Sequence, residues 1–442
     1  MIRVVILLAV ALSLAGARSV EAQAALAPEP ALTLAELERM ALDSNPTRRA
    51  AQGMVDAAMG RSRQARAWPN PVVGLSAEEI TSRGNTDPRG AYGFFVEQSI
   101  PLGGKLRLTR SVFERAIEEA DARADLQQQR ILSSVRTLYY QLLTTERRIE
   151  VHERLATLGS EATSVTAQLF NVGAADRPDH LESEIETHRV QLELSAARNE
   201  QFALRQQLAA VVGRPELALR RLAGTIDVAL PEVERDAKLQ ELVERSPQMR
   251  GARAALARNQ AATAMARRQT YPDLFLRGGA AYNREHGEDT RKPIGWEGQL
   301  EAGVSLPLFN RNQGGIAAAR AEETVAEAEI ARLALSLRAQ AAAEFARYLT
   351  ALRAAESFRA DIMPRAEQAY TLYLARYREM AAAYPQVLVA QRTLFEMARE
   401  YLVQLQTTWQ SALRLQGLLA GDGLDSPGAG DGVDIATASD GR

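Results

Sequence analysis

The chain has 442 residues, 46% hydrophobic and 24% charged, with a formal net charge of −2 and no cysteine. Near-balanced charge excludes the concentrated basic face of a nucleic-acid binder. The missing cysteine excludes disulfides, thiolate metal sites, cysteine nucleophiles and a lipid-bearing cysteine.

Residues 1–24 have the form of a secretory signal peptide: Arg3 is the positive start, Val4 to Ala15 the apolar stretch, and Ala22-Gln23-Ala24 the small-residue cleavage site. That apolar stretch is shorter than the roughly 20 residues a spanning helix needs, and no comparable run follows it. If the protein lives in a membrane, a closed β-barrel is the spanning structure left to it.

Thr33 to Ala67 is rich in Ala, Leu, Arg and Glu at helical spacing. It breaks at Asn45-Pro46, where the residue before proline is pushed out of the helical region, so two short helices are expected. From Val72 the period becomes two: Val73, Leu75 and Ala77 share one face, and Gly74, Ser76 and Glu78 the other. Strands are expected at about 71–80 and 92–101, around a loop bearing Gly, Asn and Pro. A helical hairpin is expected over about 104–212. Its outgoing arm, Gly104 to Asn171, has no proline and reaches roughly 100 Å at 1.5 Å per residue. The average helix has about 11 residues, so a globular core does not use such an element. The turn from Gly173 to Pro178 returns the chain through a helix whose Leu192, Leu194, Ala197, Leu204, Leu208 and Val211 are ordinary packing positions.

The same punctuation then recurs in the same order. Ser44-Asn45-Pro46 is answered by Arg245-Ser246-Pro247, Trp68-Pro69 by Tyr271-Pro272, and Ser99-Ile100-Pro101-Leu102 by Ser305-Leu306-Pro307-Leu308. Phe170-Asn171-Val172-Gly173 is answered by Tyr377-Arg378-Glu379-Met380, Pro178 by Pro385, and Val212-Gly213 by Ala420-Gly421. Six ordered matches at an offset drifting from about 201 to 208 residues read as a tandem repeat, 25–213 and 214–421. The second copy predicts strands at about 273–282 and 298–307, with Leu300, Ala302, Val304 and Leu306 alternating against Gln299, Glu301, Gly303 and Ser305. A second helical hairpin follows over about 313–420, with Pro364 the one proline in its outgoing arm, Gly314 to Glu379. Residues 422–442, rich in Gly, Asp, Ala and Ser, are expected to be disordered.

Strands of about ten residues suit a tilted crossing of hydrocarbon. Four strands cannot close a barrel and the smallest outer-membrane barrels have eight, so closure calls for several chains, three giving twelve strands. The expected fold is mainly α with a transmembrane β-barrel, four strands and long helical hairpins per chain. Trp68, Tyr92, Tyr271, Tyr282 and Trp296 fall near strand ends, as an interfacial aromatic girdle requires; ordinary core aromatics are the alternative.

Several chemical signals are weaker than they look. His180, Glu184 and His188 form a stripe on one helix, but a solvated face explains them without a metal ion. Gly103-Gly104-Lys105 lacks the first glycine and the Ser or Thr of a phosphate loop. Neither a Gly-x-Ser-x-Gly nor a His-Glu-x-x-His motif occurs, so no enzyme activity and no cofactor are expected.

Over about Leu32 to Gly421 the chain resembles the TolC-like outer-membrane factor family. The resemblance rests on Phe170-Asn171-Val172-Gly173, on the paired Ser-Ile-Pro-Leu and Ser-Leu-Pro-Leu strand ends, and on Val387-Leu388-Val389-Ala390-Gln391-Arg392. The balance of motifs is similar to the branch serving cobalt-zinc-cadmium resistance pumps. The resemblance implies a homotrimer in outer-membrane lipid, with twelve strands and a periplasmic tunnel of twelve helices. It further implies a periplasmic adaptor protein, an inner-membrane RND pump and heavy-metal cations as cargo. Val172-Gly173, followed by Ala174, matches the family's adaptor-contact pair; the second tip departs from the pattern, with Met380 where glycine is expected and Ala381 after it. Asp179 and Glu182 match the positions of acidic entrance residues, but in the second repeat Gln386 and Val389 stand there, so Tyr377 and Tyr384 are expected to narrow the entrance instead. The alternatives are the same fold exporting drugs or a secreted protein, and a periplasmic coiled-coil scaffold without a pore.

Overall fold

A computed structural model describes residues 31–79, 90–226, 234–286, 293–417 and 419–427. The expected signal peptide, 1–24, lies outside the described residues, as do residues 428–442 of the expected tail.

Two short helices open each half, and local chemistry sets their ends. Thr33 starts α1 (Leu34–Ser44) with a capping box: its hydroxyl accepts from the Glu36 N–H, and the Glu36 carboxylate accepts from the Thr33 N–H at 2.9 Å. Asn45 ends that helix in an extended conformation and caps α2 (Pro46–Gln64) by accepting from the Thr47 N–H. Its side chain is buried and donates to the Val211 carbonyl at 2.7 Å, tying the joint to the far end of the first hairpin. Ser246 likewise ends α5 (Arg235–Arg245) and caps α6 (Pro247–Arg268), accepting from the Met249 N–H.

The strands are β1 (Val72–Glu78), β2 (Ala91–Ile100), β3 (Leu274–His286) and β4 (Pro293–Val304). They form one antiparallel sheet in chain order, with β2 of the first half paired to β3 of the second. The later pair extends further toward its connecting loop than the spans expected at 273–282 and 298–307.

The first hairpin is α3 (Lys105–Asn171), 67 residues long, returning through α4 (Arg177–Val212). The second is not continuous. It runs through α7 (Gln313–Ser357), a π-helical turn at Phe358–Ile362, and α8 (Met363–Arg378), and returns through α9 (Tyr384–Gln416). Pro364 has no N–H to donate, and the widened turn, in which the Met363 N–H reaches the Phe358 carbonyl, absorbs the defect without ending the helix.

Three apolar clusters hold these helices together. One joins α1, α3, α4 and α9 through Leu37, Leu142, Val212 and Trp409, with Tyr140 stacked on Trp409 at 4.0 Å. A second, toward the hairpin tips, contains Leu155, Val190, Tyr370, Val387 and Leu394. A third ties α5 and α7 to α9 through Leu242, Tyr348 and Leu415. Among the described residues no helix is long and apolar enough to cross a membrane.

Residues 422–427, expected to begin a disordered tail, lie instead against α3. The Gly423 N–H donates to the Ser134 hydroxyl at 2.9 Å, and buried Gln127 donates to the Gly423 carbonyl at 3.0 Å. Hydrogen bonds to backbone groups anchor this segment, and a hydrophobic pattern does not announce them.

Candidate functional site: sheet faces and hairpin tips

Register converts four separate alternations into two opposed faces. Val73, Val96, Gly278 and Leu300 form one row, and Ala77, Tyr92, Tyr282 and Trp296 another. With Leu75, Phe94, Leu276 and Val304 they make an apolar face. The opposite face carries Ser76, Glu78, Glu97, Arg277, Glu297, Gln299 and Glu301.

Burial runs opposite to that of a globular protein. Leu75 is 88% exposed and Leu300 86%, whereas Gly93, Phe95 and Glu97 on the polar face are half-buried. The sheet is strongly curled with the polar face concave: Gln299 of β4 reaches both carboxylate oxygens of Glu78 on β1 at 3.4 Å, although the two strands are the opposite edges. A flat sheet would hold those strands about 14 Å apart at roughly 4.8 Å per strand. A convex apolar face, a concave polar face and two unpaired edges are the features of a barrel segment. Tyr282 and Trp296 meet edge to face at 5.9 Å at one end of the apolar face, and exposed Trp68 and Tyr271 flank the other.

At the other end of the helices the two hairpin tips share one backbone design. The Gly173 N–H donates to the Phe170 carbonyl at 3.0 Å and the Ala174 N–H to the Leu169 carbonyl at 2.8 Å. In the second tip the Met380 N–H donates to the Tyr377 carbonyl at 3.0 Å and the Ala381 N–H to the Arg376 carbonyl at 2.8 Å. Both are Schellman closures, which need a left-handed residue, and φ is +75° at Gly173 and +58° at Met380. Val172, Gly173, Ala174, Met380 and Ala381 are all exposed, so the two tips present one small apolar surface each.

The outer membrane efflux protein family model matches residues 37–214 and again 238–421. The chain belongs to the outer membrane efflux protein family. It is 28% identical to the cobalt-zinc-cadmium resistance protein CzcC of Cupriavidus metallidurans over 88% of this chain and 90% of that protein. Among solved structures it is similar to the outer-membrane channel OprN, with a TM-score of 0.74 at 19% identity over 88% of this chain and 90% of that one. It is also similar to the outer membrane protein VceC of Vibrio cholerae, with a TM-score of 0.72 at 20% identity over 88% and 96% of the two chains. The location is the outer membrane, with the helices as the periplasmic tunnel domain. This family is one of channels, not enzymes.

In this efflux protein the side chains expected at the tunnel entrance separate into two groups. Glu182, Gln386 and Val389 are exposed and Asp179 is half-buried, its carboxyl pushed above the usual range by burial and by the neighbouring Asp176 and Glu182. Tyr377 and Tyr384, expected to narrow the entrance, are instead packed within the tip. Tyr384 is 1% exposed, its ring lies 5.6 Å from that of Tyr377, and burial raises its hydroxyl pKa to about 12. Both rings face inward because they flank the turn on the side that α8 and α9 present to each other and to α3.

Several contacts at this end were not foreseen from the sequence. Arg392 donates to buried Glu186 at 2.6 Å, and Arg399 lies 3.6 Å from Glu193, which also faces buried His152 at 3.7 Å. Tyr370 donates to the Leu158 carbonyl at 3.2 Å, and Arg378 pairs with Glu161. Apart from His152–Glu193, which lies within the first hairpin, these contacts fasten the second hairpin to the first. Glu186 and Arg392 stand 206 residues apart, as do Glu193 and Arg399; that separation falls within the repeat offset and was the available signal. Of the His180 stripe, His180 meets Glu184 at 3.5 Å while His188 turns to Gln191. Among the described residues no group of three His, Asp or Glu side chains is placed to hold a metal ion.

The tips carry a stability test. Met380 pays a left-handed backbone cost of about 1 kcal/mol that glycine avoids. Met380→Gly is expected to stabilise the purified protein by about that amount and Gly173→Ala to destabilise it similarly, measured by urea unfolding. Equal, opposite changes at the two sites would show that the tips are energetic equivalents.

Proposed function

We propose that this chain is the exit duct of a three-part efflux machine. Three copies close a twelve-stranded barrel whose convex face meets lipid, and their long helices continue the lumen through the periplasm. The exposed tip residues Val172, Gly173, Ala174, Met380 and Ala381 dock a periplasmic adaptor, which couples the duct to an inner-membrane RND pump. The cargo is heavy-metal cations, a reading supported by the similarity to the cobalt-zinc-cadmium resistance protein.

The observation that carries the proposal is the curled sheet with its apolar side outward and, among the described residues, both edges unpaired. Left in water it would expose a row of large apolar side chains, each worth about 1.5–3 kcal/mol on burial. Lipid covers the face, and neighbouring copies satisfy the edges.

The duct itself is tested with the purified protein, which is expected to need detergent, to run as a trimer and to conduct ions in a planar bilayer. A soluble, non-conducting species would overturn the proposal in favour of the scaffold reading. The cargo is tested by deleting the gene: sensitivity to cobalt, zinc or cadmium supports it, and drug sensitivity alone overturns it.

A further inference from the structure

Between the tyrosine row and the Leu274–Val304 row, strand register sends every charged side chain to the concave face. Glu97, Arg277 and Glu301 form one cross-strand row, Glu297 stands opposite Ala281, and Glu78 opposite Ala91. Within these rows three carboxylates thus face a single guanidinium, and Glu78 adds a fourth just beyond the tyrosine row. That guanidinium is held against the wall, 3.8 Å over the Phe95 ring. We infer that the barrel wall makes the channel prefer cations to anions, with Glu97, Glu297 and Glu301 setting the preference and Arg277 tempering it. This rests on the trimeric duct proposed above.

The charge acts as a field on passing ions and needs no fixed binding site. Twelve strands about 4.8 Å apart and tilted about 40° give a circumference of roughly 75 Å and a backbone radius of roughly 12 Å. Side chains projecting inward bring their carboxylates closer to the axis than that. The screening length is about 10 Å at 0.1 M salt, so an ion on the axis remains within reach of three copies of the acidic wall. At 1 M salt it falls to about 3 Å and the preference should collapse. At the far end of the helices the first hairpin tip carries Asp179 and Glu182 while the second presents uncharged Gln386 and Val389, so the wall is tested by its own substitutions with the tips unchanged.

The test is the reversal potential of the full trimer in a planar bilayer under a potassium chloride gradient, at low and at high mean salt. The unsubstituted channel is expected to favour potassium severalfold at low salt. E97Q/E297Q/E301Q is expected to bring the permeability ratio near unity, and R277Q to raise it. Shifts in opposite directions from the same wall would not follow from mere structural damage. A conducting channel with no cation preference, or one whose preference survives the triple substitution, would overturn the inference and leave the duct standing. Absence of any conductance would remove both.

Discussion

Leu300→Arg is expected to abolish assembly in the outer membrane, whereas Gln299→Arg, one residue away, is expected to leave it intact. Leu300 lies midway along the apolar face, four residues from Trp296 on one side and four from Val304 on the other, and is 86% exposed. An arginine at the bilayer midplane of a barrel costs about 2–4 kcal/mol, and a trimer bears the cost three times. Gln299 points to the concave face, where water accommodates the charge. The comparison is read by membrane fractionation and by the heat-sensitive trimer band on an unboiled gel. Equal loss in both variants would mean that the convex face does not meet lipid, because a substitution that merely disturbs β4 does not distinguish adjacent positions.

That contrast was half legible in the sequence. The alternation at Val73, Leu75 and Ala77 and at Leu300, Ala302 and Val304 shows that each strand has an apolar side, because side chains alternate across a strand whatever it pairs with. It does not show that the two apolar sides coincide, since β2–β3 pairing joins residues about 180 positions apart. The helical joints at Asn45 and Ser246 were readable for a local reason, the residue before proline, and so was the glycine closure at Gly173. The second tip was not, because Met380 adopts by context a conformation its own chemistry disfavours. Pro364 was visible, but whether it would end, kink or widen the helix depends on the packing around Phe358. Tyr377 and Tyr384 flank the tip in the sequence, yet their direction depends on how α8 and α9 roll against α3, which neither sequence segment encodes alone.

The largest effect expected at the periplasmic end comes from Arg392→Met. Glu186 is 4% exposed and its carboxylate is held by Arg392 at 2.6 Å, so removing the guanidinium strands a buried charge between the two hairpins. Breaking a fully buried pair costs about 3–5 kcal/mol; Arg392 keeps roughly half of its side chain in water, so about 2 kcal/mol is expected here. Glu186→Leu combined with Arg392→Met should recover most of the loss, because neither partner then remains unsatisfied. Urea unfolding gives the cycle, and amide exchange over 183–190 and 388–395 locates it: the single variant should open α4 and α9 there while leaving the Leu142–Trp409 cluster protected. If the double variant were as unstable as the single, the pair would not be what fastens the hairpins, and the weight would pass to the apolar contacts of Tyr370, Val387 and Leu394 that surround it. The direction of the inequality therefore separates a charge clamp from an apolar seam at the same interface.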